Sequence, residues 1–419
     1  MTAPVGHNLL PGTAAVDGRG RLSIGGVDLL DLAAEIGTPA FVYDEAHLRA
    51  RCREAVGAFG AGNVAYASKA FLCRAMAQLA HEEGMHVDVA TGGELYVALA
   101  AGVPPVSLVL HGSNKSEDEL RRAVDLGVRI VVDSFAELDR LEEIGGRAKV
   151  LVRITPGVEA HTHEYVMTGQ VDSKFGFGLA SGEARRAVER ARHSPATELV
   201  GVHAHIGSQI FITSSFEKAV DALAEFVLAA DVPELCLGGG LGVPYVAGEE
   251  APSITEWAET LKAACKAAAI TARVTAEPGR AIVAAAGVTL YRVGTIKDVP
   301  SVRTYVSVDG GMSDNPRPVL YGSGYEAFLP RAAGAERPRR VTIVGKHCES
   351  GDVVVRDACV PADLAIGDVL CTPVTGAYGH SMASNYNKVP RPPVVFVRDG
   401  NARVVVRRET FDDLLRLDA

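Results

Sequence analysis

The chain has 419 residues, more than one ordinary domain and enough for a large domain with a smaller companion. Apolar residues make up 47% and charged residues 22%, a globular rather than a disordered or fibrous composition, and a formal net charge of −9 argues against a nucleic-acid groove, which needs surplus Lys and Arg. No run of about 18 apolar residues could span a bilayer, Met1–Gly18 has no secretory pattern, and the seven cysteines contain no C-x-x-C pair for a disulfide framework or zinc set, so the expected compartment is the cytoplasm.

In chain order, the piece from Leu22–Ile24 to Val27 reads as strand and turn and is expected to join a later β domain. Then eight short apolar stretches alternate with helical patterns. The stretches are Val64–Ser68, His86–Ala90, Ser107–His111, Arg129–Asp133, Val150–Thr155, Val200–His205, Glu234–Leu237 and Arg273–Ala276. The helical patterns run over Phe71–Glu83, Glu94–Ala101, Glu117–Leu126, Phe135–Ile144, Gly182–His193, Phe216–Ala229 and Ile254–Ala269. Strand and helix alternating eight times is the sequence form of a (β/α)₈ TIM-type barrel. A doubly wound open sheet is the competitor, because periodicity does not show closure; the count of eight favours the barrel. Lys69, Asp88, His111, His205, Gly238–Gly240 and Glu277 all fall at or just past strand C-termini, the face on which barrels carry their active sites.

Beyond about residue 285 the texture becomes β-branched runs broken by Gly, Pro and Asp, which predict an all-β C-terminal domain. The runs are Val288–Ile296, Tyr305–Asp309, Arg340–Val344, Asp352–Val355, Asp368–Pro373, Val394–Val397 and Arg403–Arg407. The expected division is residues 1–40 joining the β domain, 41–285 as barrel and 286–419 as β domain. Arg331–Arg340, rich in Ala, Gly, Pro and Arg, is the expected mobile surface loop.

Each chemistry-bearing residue has a functional and a bland reading. Lys69, in Tyr66-Ala67-Ser68-Lys69-Ala70, is either an amine nucleophile whose pKa is lowered in a dry pocket or a surface lysine opening a helix. Gly238-Gly239-Gly240-Leu241-Gly242 is either an anion nest of backbone N–H groups or a flexible turn; its place after the seventh strand favours phosphate. Glu277, before Pro278-Gly279-Arg280, could keep a pyridine nitrogen protonated, and Arg280 could fork onto a carboxylate, unless the two form a local salt bridge. His203 and His205 alternate on a strand. One imidazole could stack on a flat ring while Ser208 donates to phosphate; with no third ligand at suitable spacing, no metal is expected, and His203 could be a core histidine. Cys348 could deliver a proton and Glu349 hold an ammonium, or the thiol could be a small buried hydrophobe. Tyr378 could bond phosphate or pack in a core.

Taken together these motifs resemble a known family. Tyr66–Ala70, Asp88 with Gly92-Gly93-Glu94-Leu95, His111-Gly112, Ser173-Lys174-Phe175-Gly176, His205–Gln209, Gly238–Gly242 and Glu277–Arg280 resemble the fold-type III pyridoxal-phosphate decarboxylases, whose fold is alanine racemase-like. Asn315-Pro316-Arg317-Pro318 with Leu320-Tyr321, Cys348–Asp352, and Gly376–Asn387 look like the diaminopimelate decarboxylases within them. The resemblance implies pyridoxal 5'-phosphate carried on Lys69, with Asp88 among the cofactor-binding residues, His205 stacked on the ring and Glu277 facing its nitrogen. Ser208, Gly238, Gly239, Gly240 and Tyr378 would hold the phosphate. Arg280, Arg317 and Tyr321 would grip the distal carboxylate of the substrate, with Tyr378 beside them, and Glu349 its amino group. Cys348 would reach across a homodimer interface as proton donor, with Lys69 as the alternative donor. The implied reaction converts meso-2,6-diaminopimelate to L-lysine and CO₂, the last step of lysine biosynthesis. The rivals are a related basic amino-acid decarboxylase, for ornithine, arginine or a diaminopimelate analogue, and a non-catalytic regulatory relative.

Overall fold

The computed structural model describes residues 4–157 and 172–419. The chain divides into two compact units, one of Arg51–Gly242 with Ala251–Ala281, the other of Met1–Ala50, Val243–Glu250 and Ile282–Ala419.

The first unit is built on eight parallel strands in sequential order: Ala65–Ala67, His86–Val89, Leu108–Leu110, Arg129–Val132, Ala148–Thr155, Thr197–Ala204, Glu234–Cys236 and Arg273–Thr275. A parallel bridge between Val64 and Ala276 joins the first strand to the last. There the Ala65 N–H donates to the Ala276 carbonyl at 2.9 Å, and the Ala276 N–H to that of Asn63 at 3.1 Å. The sheet therefore returns on itself, which removes its edges and decides against the open alternative. Val109, Val131, Leu151 and Cys236, from four different strands, pack together with Val200 and fill the interior. Local signals set the helices. Ser116 and Glu119 form a reciprocal capping box that starts Glu117–Leu126, which Gly127 ends in the left-handed conformation; Ser253 and Glu256 start Ile254–Ala267 in the same way.

The two ends of the barrel carry different chemistry. At the N-terminal end Glu234 is 2% exposed, and its carboxylate accepts from Arg129 Nη1 at 3.1 and 3.2 Å, from Thr275 Oγ1 at 3.0 Å and from Arg273 Nη2. It ties strands four, seven and eight together at their starts.

In the second unit the strands Gly287–Val299, Arg303–Val308, Arg339–Val344, Val353–Val360, Val369–Pro373 and Val394–Arg398 would be incomplete without one more, Ala40–Asp44. This five-residue run, apolar except for Asp44 and buried throughout, lies between Gly287–Val299 (antiparallel) and Val394–Arg398 (parallel), and Asn401–Val406 closes that side. The N-terminal contribution to this sheet is thus Ala40–Asp44, whereas Leu22–Ile24 pairs with Ala15–Val16 and Val27–Asp28 in a sheet of its own. Arg331–Arg340 differs from its expectation as a mobile loop. Arg331 bonds Asp368 at 2.7 Å and Asp363 at 2.8 Å, and the buried Arg337 bonds Glu326 at 2.9 Å, so its cations are tied to acids distant in sequence. Among the described residues no helix is long and apolar enough to cross a membrane.

Replacing Glu234 by Ala strands the mostly buried Arg129 guanidinium, and the barrel should lose about 3–5 kcal/mol, the usual cost of breaking a buried ion pair from one side. Urea unfolding of the variant measures it, as a fall in midpoint without a change in slope.

Candidate active site

Opposite the Glu234 cluster, the C-terminal strand ends bring together side chains far apart in sequence. Glu277, 8% exposed, follows the eighth strand. Its Oε1 accepts from His111 Nε2 at 2.9 Å and its Oε2 from His203 Nε2 at 3.0 Å. Burial alone would raise its pKa, but the two imidazoles outweigh it and hold Glu277 well below the usual carboxylate range. Burial likewise opposes charge on His111, but Asp88, 3.8 Å away, and Glu277 raise it above the ordinary imidazole value. His203 is lowered by burial, so near neutral pH it stays uncharged with its proton on Nε2. Burial pushes Asp88 up to about 6, against the pull of His111.

His205 lies just past the sixth strand. Burial, reinforced by the charges of Lys69 and Arg153, drives it well below the ordinary value. Its Nδ1 accepts from the Gly239 N–H at 3.1 Å, which fixes the neutral ring's tautomer and tilt. That bond also corrects the anion-nest expectation in part, since the Gly239 amide is engaged by an imidazole. The loop still requires its glycines. Gly238 and Gly240 have φ of +63° and +107°, and a Cβ on Gly239 would collide with the carbonyl oxygen of Glu277. Nearby, Arg280 Nη2 donates to Ser208 Oγ at 3.0 Å, joining a residue expected on a substrate carboxylate to one expected on phosphate.

Lys69 departs from the dry-pocket expectation. It sits in the 3₁₀ turn Ser68–Ala70, whose flanking residues are buried while Lys69 itself is exposed. The turn carries Lys69 past the end of the strand. Its charge acts on both Asp88 and His205, which places it among these groups.

Three residues at this end had no assigned role in the sequence. His111 and His203 share Glu277, and Lys115 is buried with its Nζ donating to the carbonyls of Gly112 and Val131, both at 2.7 Å, beside Glu137. Lys115 thereby holds the turn that follows His111. A lysine three residues after a His-Gly pair was the available signal; its burial was not. His111, His203 and Glu277 also place three donor atoms of metal-ligand type within 4.8 Å of one another, a set that does not include His205. These atoms are hydrogen-bonded within the set.

The β unit carries the remaining candidates. Arg317, 5% exposed, opens the helix Arg317–Tyr321; its Nη1 donates to the Tyr325 hydroxyl at 2.7 Å and its guanidinium lies 4.2 Å from the Tyr245 ring centroid. Tyr321 and Tyr378 are half-buried. Cys348 and Glu349 are exposed on the turn between Arg339–Val344 and Val353–Val360, which excludes the reading of Cys348 as a buried hydrophobe. Asp352 anchors that turn. Its oxygens accept from the His347 N–H at 2.8 Å and the Met312 N–H at 2.6 Å, while the Cys348 N–H donates to Asn387 Oδ1 at 3.1 Å. One carboxylate therefore ties the Cys348–Glu349 turn to the segment leading into Arg317.

Residues 45–284 match the family described as pyridoxal-dependent decarboxylase, pyridoxal binding domain. The chain is 48% identical, over 98% of both chains, to the diaminopimelate decarboxylases of Mycobacterium tuberculosis (strain ATCC 25618 / H37Rv) and Bacillus subtilis (strain 168). The chain belongs to the diaminopimelate decarboxylase family of pyridoxal-dependent decarboxylases. Its fold is that of the M. jannaschii diaminopimelate decarboxylase solved with L-lysine, with a TM-score of 0.90 at 33% identity over 97% of this chain and 98% of that one. A lysine/ornithine decarboxylase from Vibrio vulnificus, at 22% identity and a TM-score of 0.76, shares the fold.

The family's cofactor is pyridoxal phosphate, and the residues of the barrel unit fit it. A neutral imidazole of fixed tilt suits a flat ring and an anionic carboxylate suits a ring nitrogen. An exposed amine suits an aldehyde, and Ser208 with Arg280 beside a glycine loop suits a phosphate.

Asp314, 1% exposed in the segment before Arg317, is pushed up to about 7 by burial, against the Gly311 N–H that it accepts at 2.9 Å. A carboxyl protonated more readily in the folded chain than in the unfolded one stabilises below the unfolded value near 4, and this contribution is lost as pH rises to 7. The loss is on the order of 4 kcal/mol. Asp314→Asn should remove most of it, so the difference in melting temperature between pH 5 and pH 7.5 should be smaller in the variant; an equal difference would show that Asp314 does not titrate there.

Proposed function

We propose that the enzyme removes the carboxyl group from the D-configured carbon of meso-2,6-diaminopimelate, giving L-lysine and CO₂ in the last step of lysine biosynthesis. The observation that carries the reading is the buried guanidinium of Arg317 in a chain related along its length to diaminopimelate decarboxylases. A substrate without a distal carboxylate would leave that charge poorly matched. The same point disfavours ornithine or arginine as substrate.

The cofactor, when bound, supplies an electron sink for the charge left on carbon as CO₂ departs. In this reading Lys69 would hold the cofactor at its aldehyde end. His205 lies against the ring and Glu277 faces its nitrogen, with Asp88 nearby. Ser208, Gly238–Gly240 and Tyr378 hold the phosphate. Arg280, Arg317 and Tyr321 bind the distal carboxylate and Glu349 the distal ammonium, which leaves the other end of the substrate to react. Cys348 gives its thiol proton to the carbon. Its exposure on a turn held by Asp352 and Asn387 suits a group that serves a neighbouring copy, and we infer a cytoplasmic homodimer with shared sites.

Carbon dioxide release should be found with meso-diaminopimelate and be lower by at least about a hundredfold with lysine, ornithine or arginine, as expected when a buried charge is left unmatched; comparable release from ornithine would overturn the substrate assignment. Lys69→Ala should lose both the visible absorbance of bound cofactor and turnover, and Cys348→Ala should keep the absorbance while slowing turnover by about 10²–10⁴-fold. Mixed Lys69→Ala and Cys348→Ala protomers should regain part of the activity, since some mixed dimers hold one intact site. Absence of recovery in a verified heterodimer would refute the shared site.

A further inference from the structure

We propose that His111 and His203 form a clamp on Glu277, two positioning residues that fix the orientation and ionisation of its carboxylate towards the ring nitrogen of the cofactor. The inference rests on Glu277 facing that nitrogen, as proposed above, and adds what holds Glu277 ready for it.

The geometry is specific. Each imidazole takes a different oxygen, His111 at 2.9 Å and His203 at 3.0 Å. An ionised carboxylate only accepts, so both Nε2 atoms must carry their protons. With one donor on each oxygen the carboxylate cannot turn about its terminal bond without breaking both contacts, yet each oxygen keeps lone pairs for a third donor. The rings also brace one another, with centroids 5.0 Å apart and planes at 70°. The three residues come from the ends of the third, sixth and eighth strands, so the clamp is set by the barrel wall rather than by a loop.

His203 bears most directly on the idea. It is 2% exposed, and its Nδ1 has no hydrogen-bond partner among the described residues. A buried imidazole with one nitrogen unmatched is worse for folding than an apolar side chain of the same shape. Its Nε2 bond to Glu277 is the feature such a side chain would not supply. The surrounding charges divide the labour. Asp88 and Glu277 favour the cationic form of His111, whereas burial, with the charges of His111 and Arg153, disfavours it in His203. Arg153 and Lys69 are further cations acting on these groups. Loss of the His203 donor would leave one buried oxygen of Glu277 bare. The carboxylate would become more basic and free to turn, and would compete with the ring nitrogen for the proton.

The test uses the holoenzyme loaded with pyridoxal phosphate carrying nitrogen-15 in the ring, whose chemical shift reports protonation of that atom. The wild-type nitrogen should stay protonated between about pH 6 and 9. In His203→Phe, which keeps a ring and removes the donor, its deprotonation midpoint should fall by about one pH unit or more. The kcat should fall by at least about tenfold with KM changed less than about threefold, the signature of lost transition-state rather than ground-state stabilisation. His203→Gln, whose amide N–H reaches near the Nε2 position, should restore the shift, and the shorter His203→Asn should not. A folded His203→Phe enzyme with the wild-type nitrogen shift would overturn the clamp while leaving the role of Glu277 intact. Should the Phe variant not fold, equal shifts in the Gln and Asn variants would overturn it. A wild-type holoenzyme with an unprotonated nitrogen would instead overturn the placement of Glu277 itself, and the clamp with it.

Discussion

A carboxylate removed from water must be met by donors, and the barrel mouth is organised around how Glu277 meets them. Its side chain draws His111 and His203 from two other strand ends. Its backbone N–H donates to the Gly238 carbonyl at 2.7 Å, and its own carbonyl lies so close to Gly239 that no side chain fits there. The glycine loop in turn fixes His205 through the Gly239 amide. His205, the glycine loop and Glu277 are therefore one packed unit, and a change at any of them is felt by the other two.

The same barrel uses a second buried carboxylate for a different purpose. Glu234, at the strand starts, is met by two arginines and a threonine, donors whose charge does not change near neutral pH. Glu277 is met by imidazoles, whose charge is set by their neighbours and which can therefore be tuned. Fixed ion pairs hold the strand starts, and titratable partners surround Glu277 at the strand ends. This separation follows the division between stability and chemistry expected of the two faces of such a barrel. In the β unit, Asp352 ties the Cys348–Glu349 turn to its neighbour by gathering backbone donors from two segments on one carboxylate, where Glu277 gathers two imidazoles.

Much of the architecture was legible in the chain. The eight barrel strands are short, largely apolar runs separated by helical patterns, and two of the helices begin at Ser–Glu capping boxes. Ala40–Asp44 escaped because a five-residue strand buried on both faces has no alternation and runs directly into a helix. Arg331–Arg340 looked mobile because its composition is that of a solvated loop, but Asp363, Asp368 and Glu326, distant in sequence or on other elements, neutralise its cations. Lys69 was placed correctly at a strand end, yet its exposure depends on a turn whose pitch the local sequence does not reveal.

What the amino-acid sequence settled by itself was the inventory and its order: an amine, imidazoles, a glycine loop and a carboxylate at successive strand ends, because alternation, capping and glycine placement are local properties of the chain. What tertiary structure alone decided was which of these groups touch and which are charged. Glu277 is 166 residues from His111 and 74 from His203, and the distances between them exist only once the barrel has closed. Ionisation depends on burial and on charges a few ångströms away, and both are properties of the packed molecule rather than of any segment of it.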